Sequence, residues 1–194
     1  TYVRKPEWLK TRLNTNKSYR SLKKLMRNNR LNTVCEEAKC PNLGECWDTK
    51  TATMMILGDT CTRACKFCHV KTGNPKGWLD MDEPRKASEM VEIMGLKYLV
   101  VTSVDRDDLE DFGSGHFASV VNQIAKDFPE VKVEVLIPDF NAKEIYMHKL
   151  AKSNPFVIAQ NIETVERLTY QVRDRRAGYQ QTLKALEFYK KNYP

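Results

Sequence analysis

An α/β fold with a parallel sheet is predicted by three features of the sequence. Four short apolar runs of strand length alternate with four longer stretches of helical period. The polar residues with chemical potential fall just after the apolar runs, on the edge where parallel α/β folds carry their sites. A length of 194 residues suits one large domain, or a domain with an appendage.

The elements follow in order. Residues 18–29 read as a basic amphipathic helix, capped by Ser18, with Leu22, Leu25 and Met26 on one stripe. Thr53 to Leu57 is an apolar run closed by Gly58, a buried strand by its length and flanks. The next helix takes Pro84 in its first turn, lines one face with Met90, Val91 and Met94, and stops at Gly95. Tyr98 to Val101 is the second strand, and Ser114 caps a helix bearing Phe117, Val120, Val121 and Ile124. Val131 to Ile137 is the third strand, with a helix over 141–152 behind it. Phe156 to Ala159 is the fourth strand, and 178–191 the fourth long helix. This alternation gives βαβ units, and periodicity fits an open doubly wound sheet as well as a partial barrel.

Composition is that of an ordinary globular chain, 41% hydrophobic and 29% charged. Eight Gly and eight Pro exclude collagen-like and Pro/Gly-rich low-complexity classes. No apolar run approaches the ~20 residues of a membrane span, and no secretory signal pattern opens the chain. The net charge of +7 is placed unevenly. Residues 1–34 hold ten Lys or Arg against the single acid Glu7, so the remainder is slightly acidic. A basic arm of this kind reads either as a docking surface for an acidic partner or as a solvated helix face.

The six cysteines stand at 35, 40, 46, 61, 65 and 68, and none follows. Disulfide frameworks spread their cysteines through small secreted domains, so this crowding points to metal ligation. The spacings are C-x4-C-x5-C for Cys35, Cys40 and Cys46, and C-x3-C-x2-C for Cys61, Cys65 and Cys68. Structural zinc commonly takes two C-x2-C pairs, a form that neither triplet has. Three thiolates on each of two cubane clusters use every cysteine and leave one iron per cluster open for chemistry. His69, beside Cys68, reads as a packing or hydrogen-bonding residue. The competing reading is a basic zinc module for nucleic acid, which iron and sulfide content separates from a cluster protein.

Cys61-x3-Cys65-x2-Cys68, with Phe67 before the last cysteine, resembles the signature of radical S-adenosylmethionine (SAM) enzymes. The upstream triplet, set in Asn32-Thr33-Val34-Cys35-Glu36-Glu37-Ala38-Lys39-Cys40-Pro41-Asn42, is similar to the lipoyl synthase family within them. Arg4-Lys5-Pro6-Glu7-Trp8-Leu9, Thr102 to Leu109 and Asn161 to Val165 agree, so the resemblance spans essentially the whole chain. Gln160 stands where that family usually has His. Family members run well past the position of Pro194, to an Arg-Ser-Ser-Tyr motif whose serine ligates the auxiliary cluster.

The resemblance implies a partial (βα)6 TIM-like barrel of the radical SAM type, with about the first four βα units at 51–194. Residues 1–50 would be an N-terminal cluster-binding extension. It implies two [4Fe–4S] clusters, on Cys35, Cys40 and Cys46 and on Cys61, Cys65 and Cys68, with SAM bound at the second. SAM cleavage there gives a 5′-deoxyadenosyl radical, and the first cluster supplies the sulfur, so both are expected near one barrel mouth. By position, Phe67 would pack near the adenine, and Thr102 and Ser103 would bond the amino group. Asn161 and Glu163 would hold the ribose, and Arg173 the carboxylate, leaving Arg175 and Arg176 as a solvated basic run. The implied reaction inserts sulfur at C6 and C8 of an octanoyl chain on a lipoyl carrier, a lipoyl domain or glycine-cleavage H-type protein. A ferredoxin or flavodoxin would donate electrons, with neither nucleic acid nor membrane involved. The implied compartment is cytoplasmic, or mitochondrial or plastid in a eukaryote. A biotin synthase-like or methylthiotransferase-like enzyme is the alternative, and it would share only the second triplet.

Overall fold

The computed structural model describes Arg4, Pro6 and residues 43–194. The basic segment, its expected helix over 18–29, and Cys35 and Cys40 lie outside the described residues. In chain order, α1 (Leu43–Asp48) leads into β1 (Thr51–Ile56). The following loop holds two short parallel strands, β2 (Thr60–Cys61) and β3 (Lys71–Thr72). Next come α2 (Glu83–Met94), β4 (Tyr98–Ser103), α3 (Ser114–Asp127), β5 (Lys132–Leu136), α4 (Glu144–Ala151) and β6 (Val157–Ala159). The short α5 (Thr169–Val172) and the long α6 (Tyr179–Asn192) follow.

The main sheet is wholly parallel, in the order β1-β4-β5-β6. Each strand therefore lies beside its predecessor in the chain. A doubly wound sheet reverses direction at a switch point, and this sheet has none. Since parallel crossovers are right-handed, winding in one direction puts every crossover helix on one face. Consistent with that, α2 packs on α3, α3 on α4 and α4 on α6. The side chains tell the same story. Leu99, Val101, Val133 and Val135 are buried, whereas Tyr98, Val100 and Glu134 between them are only half-buried. The expected α/β class with a parallel sheet is thus observed, and the alternative that periodicity left open is resolved toward single winding.

Aligned registers bring the carboxyl ends of the strands level. Met55 pairs with Thr102, Thr102 with Leu136, and Leu136 with Ala159. The core between sheet and helices is built from Ile56, Leu99, Val101, Met90, Phe117, Val121, Ile124 and Leu150, each at most 1% exposed. Phe117 meets Phe140 edge-to-face at 6.1 Å.

Several helix boundaries have clear local causes. Gly95 ends α2 in the left-handed region, and its N–H reaches back to Glu92 O. The expected cap Ser114 is instead the first residue of α3, and Gly113 (φ 84°) precedes it. Asp111 does the capping: its carboxylate accepts the N–H groups of Gly113 at 3.0 Å and Gly115 at 2.9 Å. A Cβ on Gly113 would stand 2.4 Å from Leu57 Cδ1, so only glycine fits there. The helix expected over 141–152 begins later, at Glu144, after a 3₁₀ turn over Phe140–Ala142. All three turn residues have positive φ, and Asp139 accepts the Asn141 N–H at 2.9 Å, which stops helical continuation.

Asp111 yields a stability prediction. Burial raises its carboxyl pKa, but Lys149 and the two N–H groups outweigh burial and leave it below the usual range. Asp111→Ala should cost about 1–2 kcal/mol in urea unfolding at neutral pH. Because the folded pKa is depressed, this contribution is present above the unfolded carboxylate pKa of about 3.9. It fades as pH falls through the folded value, so the variant and the parent should converge in acid.

Candidate functional site

The turn after β1 aims the cysteine loop, and buried charges hold it. Leu57 (φ 68°) and Gly58 (φ 86°) both turn left-handed. Their N–H groups donate to the Glu83 carboxylate at 2.8 and 3.2 Å, and Glu83 also meets His116 Nε2 at 2.7 Å. On the other side, Arg106 Nη1 donates to Leu57 O at 2.9 Å and Nη2 to Trp78 O at 2.7 Å. Asp108 completes the Arg106 guanidinium with two bonds of 2.8 Å. Arg106 is 1% exposed and makes four hydrogen bonds through all three guanidinium nitrogens, which makes it architectural.

Arg63, between Cys61 and Cys65, is the second buried guanidinium, at 4% exposure. It forks onto Asp107 (Nε 3.0 Å, Nη2 2.9 Å) and onto Asp139 (Nη1 2.7 Å, Nη2 3.0 Å). Asp105 lies 3.3 Å from Nη1. One loop is thereby tied to the segments after β4 and β5. Three carboxylates on one cation leave excess negative charge. Burial, with Asp139 and Asp107 adding to it against Arg63, pushes the Asp105 pKa up to about 6. Asp105 Oδ2 also faces Cys61 Sγ at 4.0 Å.

The cysteines are only partly where the sequence places them. Cys61 closes β2 and is not in plain loop, while Cys65 and Cys68 lie in the turn between β2 and β3. The Arg63 N–H donates to Cys61 Sγ at 3.4 Å, and the Asp174 N–H to Cys65 Sγ at 3.3 Å. Burial, the largest cause in each, pushes the Cys61 thiol up to about 11 and raises that of Cys65. These thiols are therefore protonated until a metal displaces the protons. Cys46 lies on α1, which enters β1 at its amino end, with six residues or ~20 Å of strand before the cysteine loop. Cys35 and Cys40, its expected partners, lie outside the described residues.

A polar pocket opens at the carboxyl edge. Thr102 and Ser103 at the end of β4, Asp105 and Asp139 beyond β4 and β5, and Gln160, Asn161 and Glu163 after β6 line it, with Arg63 and Arg173 at its sides. Ser103 Oγ, Gln160 Oε1 and Arg173 Nε are buried there without a hydrogen-bond partner among the described residues. Buried polar atoms are normally satisfied, so unsatisfied ones converging on one pocket point to a polar ligand. Arg173 Nη1 is anchored on Thr182 Oγ1 at 3.2 Å, which leaves Nε for the pocket. Thr102 Oγ1 donates to Leu136 O at 3.1 Å, so its proton is committed while its lone pairs remain available. Asn161 and Glu163 are exposed on the rim, with Glu163 at φ 68°. Phe67 is 50% exposed and does not line the pocket. Arg176 is exposed as expected, and it also pairs with Asp174 at 2.9 Å, with Thr62 O, and with Asp107 at 3.4 Å. Arg175 is exposed, as expected. Sequence reasoning placed residues 102–108 and Asp139 at this edge, but it missed Arg63 and Asp174 and the ion pairing that ties these aspartates to the cysteine loop.

Among the described residues, no three His, Cys, Asp or Glu side chains converge as a single metal ion requires. The donor chemistry of the second triplet fits an iron–sulfur cluster, for its three donors are all sulfur on one short loop and two already receive N–H groups. The unsatisfied polar atoms beside it fit a zwitterionic cofactor such as SAM.

The radical SAM superfamily model matches residues 55–194, and the model for the N-terminal domain of lipoyl synthase of the radical SAM family matches residues 1–40. A lipoyl synthase of Francisella tularensis subsp. novicida is 55% identical over 193 residues, covering 100% of this chain and 59% of the relative. A lipoyl synthase of Marinobacter nauticus is 53% identical over 191 residues, covering 98% of this chain and 55% of the relative. The chain thus spans somewhat over half the length of these curated relatives. Among solved structures, methylornithine synthase superposes with a TM-score of 0.55 at 14% identity, covering 91% of this chain and 50% of that one. That likeness supports the fold alone.

Arg63 gives the second prediction. Arg63→Gln leaves three carboxylates around a buried hole in the charge balance, and should destabilise the chain by about 3–5 kcal/mol in denaturant unfolding. Arg63→Lys should recover only part of this, because an ammonium cannot fork onto both Asp107 and Asp139.

Proposed function

Because the chain belongs to the radical SAM superfamily, we propose that the pocket beside Cys61 and Cys65 binds SAM against a [4Fe–4S] cluster held by Cys61, Cys65 and Cys68. The observation that carries this reading is the convergence of Ser103 Oγ, Gln160 Oε1 and Arg173 Nε, all buried and unpartnered among the described residues, on a pocket whose lining residue Asp105 faces Cys61 Sγ at 4.0 Å. When bound, the cluster supplies the single electron that turns SAM into a source of carbon radical, the reactivity needed to break an unactivated C–H bond.

The protein's own residues bind, orient and exclude water. Arg173 Nε donates to the methionyl carboxylate, whose charge also offsets the nearby guanidinium. Ser103 Oγ and the lone pairs of Thr102 receive the amino group. Asn161 and Glu163, on the rim after β6, hold the ribose hydroxyls, and Phe67 packs on the adenine once the ligand covers it. Arg63 and its aspartates keep the loop in register with the pocket. Asp105 offers a carboxyl beside both the ammonium and the cluster.

The complete activity we infer is that of a lipoyl synthase, in which sulfur is inserted at C6 and C8 of a protein-bound octanoyl chain. Identity of 53–55% across nearly the whole chain, and the N-terminal family match, support it. In this reading residues 1–50 form the extension that binds the auxiliary cluster through Cys35, Cys40 and Cys46, and 51–194 belong to a (βα)6 barrel. The octanoylated carrier protein docks through complementary charge, for which the ten basic residues in 1–34 are suited. A ferredoxin or flavodoxin supplies electrons, in the cytoplasm or an organelle matrix. No described helix is long and apolar enough to cross a membrane.

Anaerobic reconstitution tests the cofactor assignment. Two clusters should give about eight irons per chain, and loss of either triplet about four. Cys61→Ala, Cys65→Ala or Cys68→Ala should abolish 5′-deoxyadenosine formation. Cys35→Ala, Cys40→Ala or Cys46→Ala should spare that product and eliminate sulfur transfer. A zinc-loaded, colourless protein would overturn the reading. Ser103→Ala and Arg173→Gln should each weaken SAM binding by about tenfold or more in calorimetry, while leaving iron content unchanged.

A further inference from the structure

The segment after α5 forms a strap across the cysteine loop. The Lys66 N–H donates to Val172 O at 2.8 Å, and the Ala64 N–H to Asp174 Oδ2 at 2.9 Å. Between those two residues, Cys65 Sγ accepts the Asp174 N–H at 3.3 Å. Arg176 braces the strap, pairing with Asp174 Oδ1 at 2.9 Å while its Nη2 donates to Thr62 O. Arg173 anchors the near end on Thr182 and on Ile162 O at 3.5 Å. Both backbone donors flanking Cys65, and its sulfur, are therefore bonded by one segment more than a hundred residues away in the chain.

The geometry points to Asp174, braced by Arg176, as a positioning residue that fixes Cys65 Sγ and raises the reduction potential of the iron–sulfur group bound there. This rests on the cluster assignment proposed above. The carboxylate sets the loop backbone through the Ala64 N–H, and the Asp174 N–H dipole points at the sulfur. A cluster gains negative charge when it takes one electron from the external donor. A donor N–H stabilises that extra charge, so it favours the reduced form. The strap leads on from the fourth strand unit.

The residues suit a direct test. Arg173 has an extended backbone (φ −90°, ψ 162°), compatible with a following proline, so Asp174→Pro removes the N–H without a clash at residue 173. Asp174→Ala removes the carboxylate alone. Arg176→Gln removes the brace from a side chain that is 49% exposed and tolerant of change. Exposed Arg175→Gln is the control.

In metal-free protein, alkylation of Cys65 read by mass spectrometry should rise several-fold in Asp174→Ala, Asp174→Pro and Arg176→Gln. Cys46 should be modified at the parent rate, and Arg175→Gln should match the parent throughout. In reconstituted protein, Asp174→Pro should lower the ratio of reduced to oxidised cluster at a fixed donor potential by about tenfold, equivalent to 59 mV for one electron. Parent-like alkylation of Cys65 together with a parent-like potential overturns the proposal. So does a joint rise at Cys46 and Cys65 with a lowered melting temperature, which makes Asp174 a stability residue only. If the parent takes up no iron and sulfide, the proposed function fails, while the alkylation series still judges the strap on its own.

Discussion

The buried Arg63 guanidinium is the constraint around which the site is arranged. It lies within the cysteine motif, yet all its partners are aspartates on the segments after β4 and β5. Placing a cation in the interior requires compensating charge and full hydrogen bonding. Only one conformation of the loop satisfies both, and that conformation sets where Cys61 and Cys65 stand. Asp139 shows how tightly this is drawn. It accepts from Arg63 and also from the Asn141 N–H, so the same carboxylate holds the loop and delays the start of α4.

Two kinds of buried polar group meet at the carboxyl edge. Arg63, Arg106 and Glu83 are saturated by partners within the chain, and each joins segments far apart in sequence. Ser103, Gln160 and Arg173 are not saturated, and they share one pocket. Saturation marks a structural part, because its hydrogen bonds are already spent. An open donor or acceptor at a cleft marks a surface prepared for a ligand whose polar groups complete it.

Contacts across the carboxyl edge also report the curvature of the sheet. β1 and β6 are its two outer strands, yet the loop after β1 is bonded to the segment beyond β6 through Cys65, Ala64 and Lys66. A flat sheet would hold these segments several strand widths apart, at ~4.8 Å for each step. The two loops therefore close over the carboxyl ends of the middle strands, and the pocket lies beneath them. In this way single winding, crossover helices packed on one another and a site at the strand ends are parts of one geometry.

The sequence determined the elements and the chemistry. Strand and helix periods marked the four principal strands and the helices behind them, and Gly95 stopped α2 where it was expected. The cysteine spacings pointed to sulfur-ligated clusters, the cofactor class that membership of the radical SAM superfamily implies. Caps and breaks were less legible. Ser114 looked like a cap, but Asp111 occupies the N–H groups, and the pattern over 141–152 carried no mark of three left-handed residues. Only the tertiary structure decided the rest. Whether Arg63 is solvated or buried, what the exposed Arg176 bonds, and whether Asp174 touches a sulfur depend on residues 44 to 114 positions apart along the chain. Local sequence encodes what a residue is able to bond, while the meeting of distant segments, fixed by packing and charge compensation across the whole sheet edge, decides what it does bond.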